Sequence, residues 1–252
     1  MAVLFLKDFF MKSLFLCAVA VGGATVIGAL LGFIFKKQAE RHSGTILSVS
    51  AGIMLAAAIM NLITPALEGA TVTRLFLAVL GLFVGAATIY FTERFIPIGS
   101  PTDKGARSAI LFSLAMGIHN LPEGVAAGLG FGTGDTRDAI MVTLGVALHN
   151  IPEGMISVFP MLSAGVRPRR AFAFAMAGGA AEVIGTLLGN LAAEVAAAAL
   201  PFALSFAGGT MLYVVAGEMI PEGQLSGRRR GAFSLIFGYS LMVVLNFLFS
   251  SK

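Results

Sequence analysis

Apolar stretches recur along the whole chain with short polar connectors between them, each close to the roughly 20 residues that let a helix cross a bilayer. They run approximately over 9–35, 45–67, 74–95, 107–130, 138–160, 170–193, 198–220 and 231–250. The pattern predicts an all-α polytopic membrane protein, a single transmembrane domain over 1–252 with eight spans. Lys36 to Arg41, Asp135 to Asp138, Arg167 to Arg170 and Arg228 to Arg230 supply connectors, while segments six and seven almost merge in an Ala-rich run around Leu200-Pro201.

Composition agrees with this reading. Hydrophobic residues make up 57% of the chain and charged residues 12%, at a mean hydropathy of +0.90, whereas soluble domains carry about 25% charged residues. The apolar part beginning near Phe9 is longer than a signal-peptide core of about 7–15 residues, so the first 35 residues are expected to stay in the fold. One cysteine, Cys17, excludes an intramolecular disulfide and a cysteine metal cluster. A pI near 9.5 reflects loop charges rather than nucleic-acid binding.

Positive residues concentrate in cytoplasmic loops. With the N-terminus outside, the inner loops hold Lys36, Lys37, Arg41, Arg94, Lys104, Arg107, Arg167, Arg169, Arg170, Arg228, Arg229 and Arg230. Lys7, Lys12, Arg74, Arg137 and Lys252 remain outside. Twelve against five places both termini outside. Gly28-x-x-x-Gly32, Gly81-x-x-x-Gly85 and Gly124-x-x-x-Gly128 read as close helix packing. No phosphate-binding loop or nucleotide fingerprint occurs.

Charged side chains cost about 2.5–3.5 kcal/mol at the centre of a membrane helix, so those inside the spans carry the functional signal. His119-Asn-Leu-Pro-Glu-Gly124 lies in segment four and His149-Asn-Ile-Pro-Glu-Gly154 in segment five. Positions i and i+4 share a helix face, so His119 joins Glu123 and His149 joins Glu153. Asn120 and Asn150, three residues before the glutamates, fall on the neighbouring edge, and each glutamate can serve two adjacent ligand sets. Pro122 and Pro152 donate no backbone hydrogen bond and free the carbonyls of Ile118 and Leu148. Irregular helices in corresponding halves of a repeat point to a transporter's binding site.

Imidazole, carboxylate and amide oxygen without thiolate suit Zn²⁺, Fe²⁺, Mn²⁺, Co²⁺ or Cd²⁺ rather than Cu⁺. A lone buried histidine is usually a packed residue; two His–Glu pairs with matching flanks favour a metal role. Glu182 in segment six reads as a bridging ligand, or else as a partner for a histidine. Asn61 lines the path or links helices. Glu68 at the outer end of segment two, and Glu218 and Glu222 at the inner end of segment seven, suit an acidic entrance and exit or are ordinary interfacial charges.

At these residues the chain resembles the ZIP family of zinc and iron permeases, in its bacterial GufA-like branch. The resemblance implies a 3+2+3 arrangement in which segments one to three and six to eight are inverted repeats around segments four and five, and a homodimer. It implies one metal position from His119, Glu123, His149 and Glu153, and an adjacent one from Asn120, Glu123, Asn150, Glu153 and Glu182. The function implied is uptake of divalent metal, zinc foremost, into the cytoplasm of a prokaryotic cell by alternating access, with the metal as substrate and no resident cofactor. Two features depart from the family pattern. Val183 follows Glu182 where proline is usual, and Pro97 to Arg107 contains no histidine, which argues against metal sensing by that loop. The rival from another class is an intramembrane zinc hydrolase, with His119, His149 and a glutamate around a metal-activated water. No His-Glu-x-x-His is present.

Overall fold

In hydrocarbon every backbone N–H and C=O must find its partner inside the protein, which leaves the helix as the way for long apolar runs to cross. The computed structural model describes residues 2–69, 71–95, 120–131, 136–158, 161–162, 164–195, 199–225 and 227–250. Among these there is no strand. Helix α1 covers Ala2–Ile34, α2 Lys36–Ala57, α3 Val72–Phe95, α4 Asn120–Phe131, α5 Thr136–Ser157, α6 Pro168–Val195, α7 Leu200–Val214 and α8 Arg228–Ser250. Seven stretches among the described residues are long and apolar enough to span a membrane. The expected fourth span falls largely outside the described residues, which hold only its C-terminal part, α4. Lys36 to Arg41, read from sequence as a connector, belongs to the first turns of α2; Lys, Gln, Ala, Glu and Arg are all strong helix formers.

Two helices change pitch. After α2 the chain continues through a π-helical turn, Ala58–Ile63, into Thr64–Leu67, and after α7 through Val215–Met219 into Ile220–Gln224. Each π turn runs into a proline, Pro65 or Pro221, that has no N–H to give. In the first, the Thr64 hydroxyl donates to the Ile59 carbonyl at 2.8 Å. Asn61 lies in one π turn and Glu218 in the other.

The packing has a twofold pattern. Helices α1, α4, α5 and α6 form an inner set, with α1 against α5 and α6, and α4 against α6 and α5. Outside them α2 pairs with α8 and α3 with α7, while α2 also touches α5 and α7 touches α4. Exchanging α1 with α6, α2 with α7, α3 with α8 and α4 with α5 carries each of these pairings into another of them or into itself. Glycines show the same exchange at closer range: a Cβ on Gly28 would overlap the Ile151 carbonyl, and one on Gly185 the Leu121 carbonyl. The residues 25–32 and 182–189, Thr-Val-Ile-Gly-Ala-Leu-Leu-Gly and Glu-Val-Ile-Gly-Thr-Leu-Leu-Gly, occupy equivalent places in α1 and α6.

This repeat gives Val183 a structural reason. Its side chain packs over Gly22 of α1, as Val26 of α1 packs over Gly179 of α6. A proline at 183 would lose this reciprocal contact.

Candidate metal centre

Polar residues of the inner helices meet in a core otherwise made largely of Ala, Met, Leu, Val and Ile. From α4 come Asn120 and Glu123, from α5 His149, Asn150 and Glu153, and from α6 Glu182; all six are buried. His119 lies outside the described residues. Helix α5 runs unbroken through Pro152, so both the imidazole and the carboxylate of this segment stay at helical spacing.

Glu123, His149 and Glu153 each present a ligand atom within 4.8 Å of the others. Nε2 of His149 lies 3.2 Å from Oε1 of Glu123. The other ring nitrogen, Nδ1, faces the Gly145 carbonyl at 2.9 Å. A carbonyl only accepts, so Nδ1 carries the hydrogen there, which fixes the ring and turns Nε2 toward the carboxylates, the orientation in which a histidine can bind a metal once Nε2 is free of its proton. Ser50 of α2 donates its hydroxyl to the His149 carbonyl at 3.1 Å, tying the same residue to the outer helices. Nε2 of His149 and both carboxylate oxygens of Glu123 find no hydrogen-bond donor among the described residues. Buried acceptors facing one another are costly unless a cation joins them. The donor set, one nitrogen and carboxylate oxygens, matches what Zn²⁺ and similar divalent ions take.

Glu182 stands beside this cluster with hydrogen-bond partners of its own. Its carboxylate accepts from Nδ2 of Asn150 at 2.8 Å and from Nδ2 of Asn120. The hydroxyl of Thr25 reaches both its oxygens, at 2.7 and 2.9 Å. Three helices, α1, α4 and α5, thus hold a carboxylate carried on a fourth.

Asn61 is buried outside this cluster, donating to the Met141 carbonyl at 3.4 Å and accepting from Nδ2 of Asn246 at 2.7 Å, so it links α2 to α5 and α8. Glu68 is exposed just past Leu67, and its carbonyl takes a hydrogen bond from Arg74. Glu218 and Glu222 are half-buried beyond α7. The geometry brings Glu123, His149 and Glu153 into one group and Asn120, Asn150 and Glu182 into another, and leaves Asn61, Glu68, Glu218 and Glu222 apart from both. Sequence reasoning passed over Thr25 and Ser50. The repeat around Thr25 and Glu182 is the signal that marks the first; no sequence pattern marks the second. Replacing Ser50 by alanine removes one buried hydrogen bond, worth about 1 kcal/mol. The expected result is a thermal midpoint a few degrees lower in detergent, with the helices intact by circular dichroism.

Residues 98–246 match the family described as ZIP Zinc transporter. The Zinc transporter ZIPB of Bordetella bronchiseptica is 32% identical over 246 residues, 88% of this chain and 77% of that one. The chain belongs to the ZIP zinc transporter family. Within that family it is also similar to the Zinc transporter GufA of Myxococcus xanthus, 40% identical over 140 residues that cover 55% of each chain. The Zinc transporter ZIP11 of Xenopus tropicalis is 43% identical over 147 residues, 56% of this chain and 44% of that one. These last two matches span about half the length of the relatives. The ZIP match and the spanning helices make the chain a multi-pass membrane protein, and nothing in the relatives' names favours the hydrolase reading.

Proposed function

We propose that the protein carries divalent transition-metal cations, zinc foremost, across a membrane into the cytoplasm by alternating access. The observation that carries this reading is the buried group Glu123, His149 and Glu153, whose ligand atoms lie within 4.8 Å of one another in a core that, among the described residues, buries no Lys or Arg. Its residues come from α4 and α5, which exchange under the twofold pattern. His119, Glu123, His149 and Glu153 form one metal position in this reading, and Asn120, Asn150 and Glu182 join the two glutamates in the adjacent one. Both termini lie outside the cytoplasm, and two copies assemble in the membrane.

An inside-negative potential drives the cargo inward by about 2.3 kcal/mol per charge per 100 mV, hence roughly 4.6 kcal/mol for a divalent ion. Uptake therefore needs no nucleotide. Relative motion of the inner set α1, α4, α5 and α6 against the outer pairs opens the centre to each side in turn. The contacts that cross between the two sets, Ser50 to the His149 carbonyl and Asn61 to the Met141 carbonyl, are those that such motion has to exchange.

Purified protein in sealed vesicles tests this directly. With Zn²⁺, Fe²⁺, Mn²⁺, Co²⁺ and Cd²⁺ offered in turn under an inside-negative potential, zinc should enter fastest and saturably. Vesicles as impermeable to all five as protein-free controls would refute transport; non-saturating flux would replace the carrier by a channel.

A further inference from the structure

We infer that Thr25 is a positioning residue for the metal centre, a hydroxyl standing where the twofold pattern would place a second copy of Glu182. This deepens the transport reading and rests on it for the role of Glu182.

The equivalence of the two positions stands on independent observations. Thr25-Val-Ile-Gly28 and Glu182-Val-Ile-Gly185 open segments that agree at six of eight positions. In space, a Cβ on Gly154 of α5 would overlap the Thr25 carbonyl, and a Cβ on Gly124 of α4 would overlap the Glu182 carbonyl. Gly154 and Gly124 are the closing residues of the two hexapeptides. Thr25 therefore meets α5 as Glu182 meets α4.

Equivalent residues on α1 and α6 also face each other. Oγ1 of Thr25 lies 2.7 and 2.9 Å from the two oxygens of Glu182, and both residues are buried, at 5% and 0% exposure. A glutamate at 25 would set a second carboxylate against the first in a dry interior, where two like charges cannot both stay ionised. A valine would give no donor. Threonine keeps the β-branched shape suited to close packing between helices and donates to the one carboxylate that remains.

The direction of that carboxylate follows. Nδ2 of Asn120 and Nδ2 of Asn150 approach one oxygen each, and the Thr25 hydroxyl spans both from the α1 side. A hydroxyl shared between two carboxylate oxygens fixes the plane of the group as well as its position. Without it, the partners that hold the Glu182 carboxylate among the described residues are the two amides, which must themselves turn if their oxygens are to face a metal. Thr25 thus acts on the adjacent metal position through Glu182, and not on the Glu123–His149–Glu153 group.

Zinc titration of the purified full chain in detergent, with size-exclusion profiles as the folding control, tests the inference. Wild-type protein should bind two equivalents. Thr25→Val should weaken the second by about tenfold, the worth of a hydrogen bond to a charged group, and leave the first unchanged. Thr25→Ser should restore the wild-type isotherm. In Glu182→Gln the second equivalent should be lost, and adding Thr25→Val should change nothing more, because residues acting as one unit do not add. A single wild-type equivalent, a weakened first equivalent in Thr25→Val, a Thr25→Ser variant no better than Thr25→Val, or an additive double variant would each overturn it. If Thr25→Val and Thr25→Ala both fail to fold while Thr25→Ser folds, the hydroxyl serves the fold alone, and the inference also fails. Because binding is read without flux, these outcomes stand apart from those of the vesicle experiment.

Discussion

Glu123→Ala is expected to abolish zinc uptake into vesicles while leaving the protein folded. The carboxylate lies fully inside the protein, 3.2 Å from Nε2 of His149, and shares its surroundings with Glu153. Removing it takes a charged ligand away from a bound cation, and losing a ligand costs more than the roughly 10–100-fold in affinity that losing an outer-shell partner costs. Glu153→Ala should do the same, since the two residues are equivalent in the matching hexapeptides. The protein should remain monodisperse, because a metal position built of mutually facing acceptors does not stabilise the empty fold. Initial rates of radioactive zinc uptake decide the matter, and a rate within twofold of wild type for either variant would remove the proposed site.

Gly154→Val should prevent assembly of the helices. The Thr25 backbone carbonyl occupies the space that a Cβ at 154 needs, and backbone cannot turn aside as a flexible side chain can. Overpacking a well-filled interior costs about 1–3 kcal/mol and often more; here α1 would have to leave α5, taking the Thr25 to Glu182 hydrogen bonds with it. Gly124→Val should fail in the same way, against the Glu182 carbonyl. The expected readout is loss of the monodisperse peak on size exclusion and no recoverable uptake. A folded, transporting Gly154→Val protein would mean that α1 and α5 are not packed as described.

The helical character of the chain and the pairing of His149 with Glu153 were legible in the sequence because both depend on local spacing. Runs of about 20 apolar residues carry their own meaning in lipid, and i, i+4 positions share a face whatever surrounds them. His149 and Glu153 are therefore found together without knowledge of any other helix. What joins different helices was not legible. That Ser50 reaches the His149 carbonyl, or that Asn61 pairs with Asn246, depends on the packing of α2 against α5 and α8. The π turns escaped for another reason: one additional residue in a turn leaves hydropathy unaltered, and a proline one turn on, as at Pro65 and Pro221, is compatible with an ordinary helix kink. The glycines were legible as close-packing residues, and Gly28, Gly32, Gly81, Gly85, Gly124 and Gly128 each meet the backbone of another helix. That Gly28 and Gly185, like Gly124 and Gly154, hold equivalent contacts was not legible, because it depends on which helices pair.

A binding centre on a twofold pattern has no intrinsic sense of direction, because each half looks toward its own side of the membrane as the other half does. Any built-in preference between loading and unloading must then be written where the two halves differ. Two such places stand out among the described residues. Thr25 opposes Glu182 at the centre itself, and along the flanks Asn61 in one π turn answers Glu218 in the other, a neutral amide against a carboxylate. Under the proposed function, a preference for one direction would rest on the chemistry of these mismatched pairs, added to the field across the membrane.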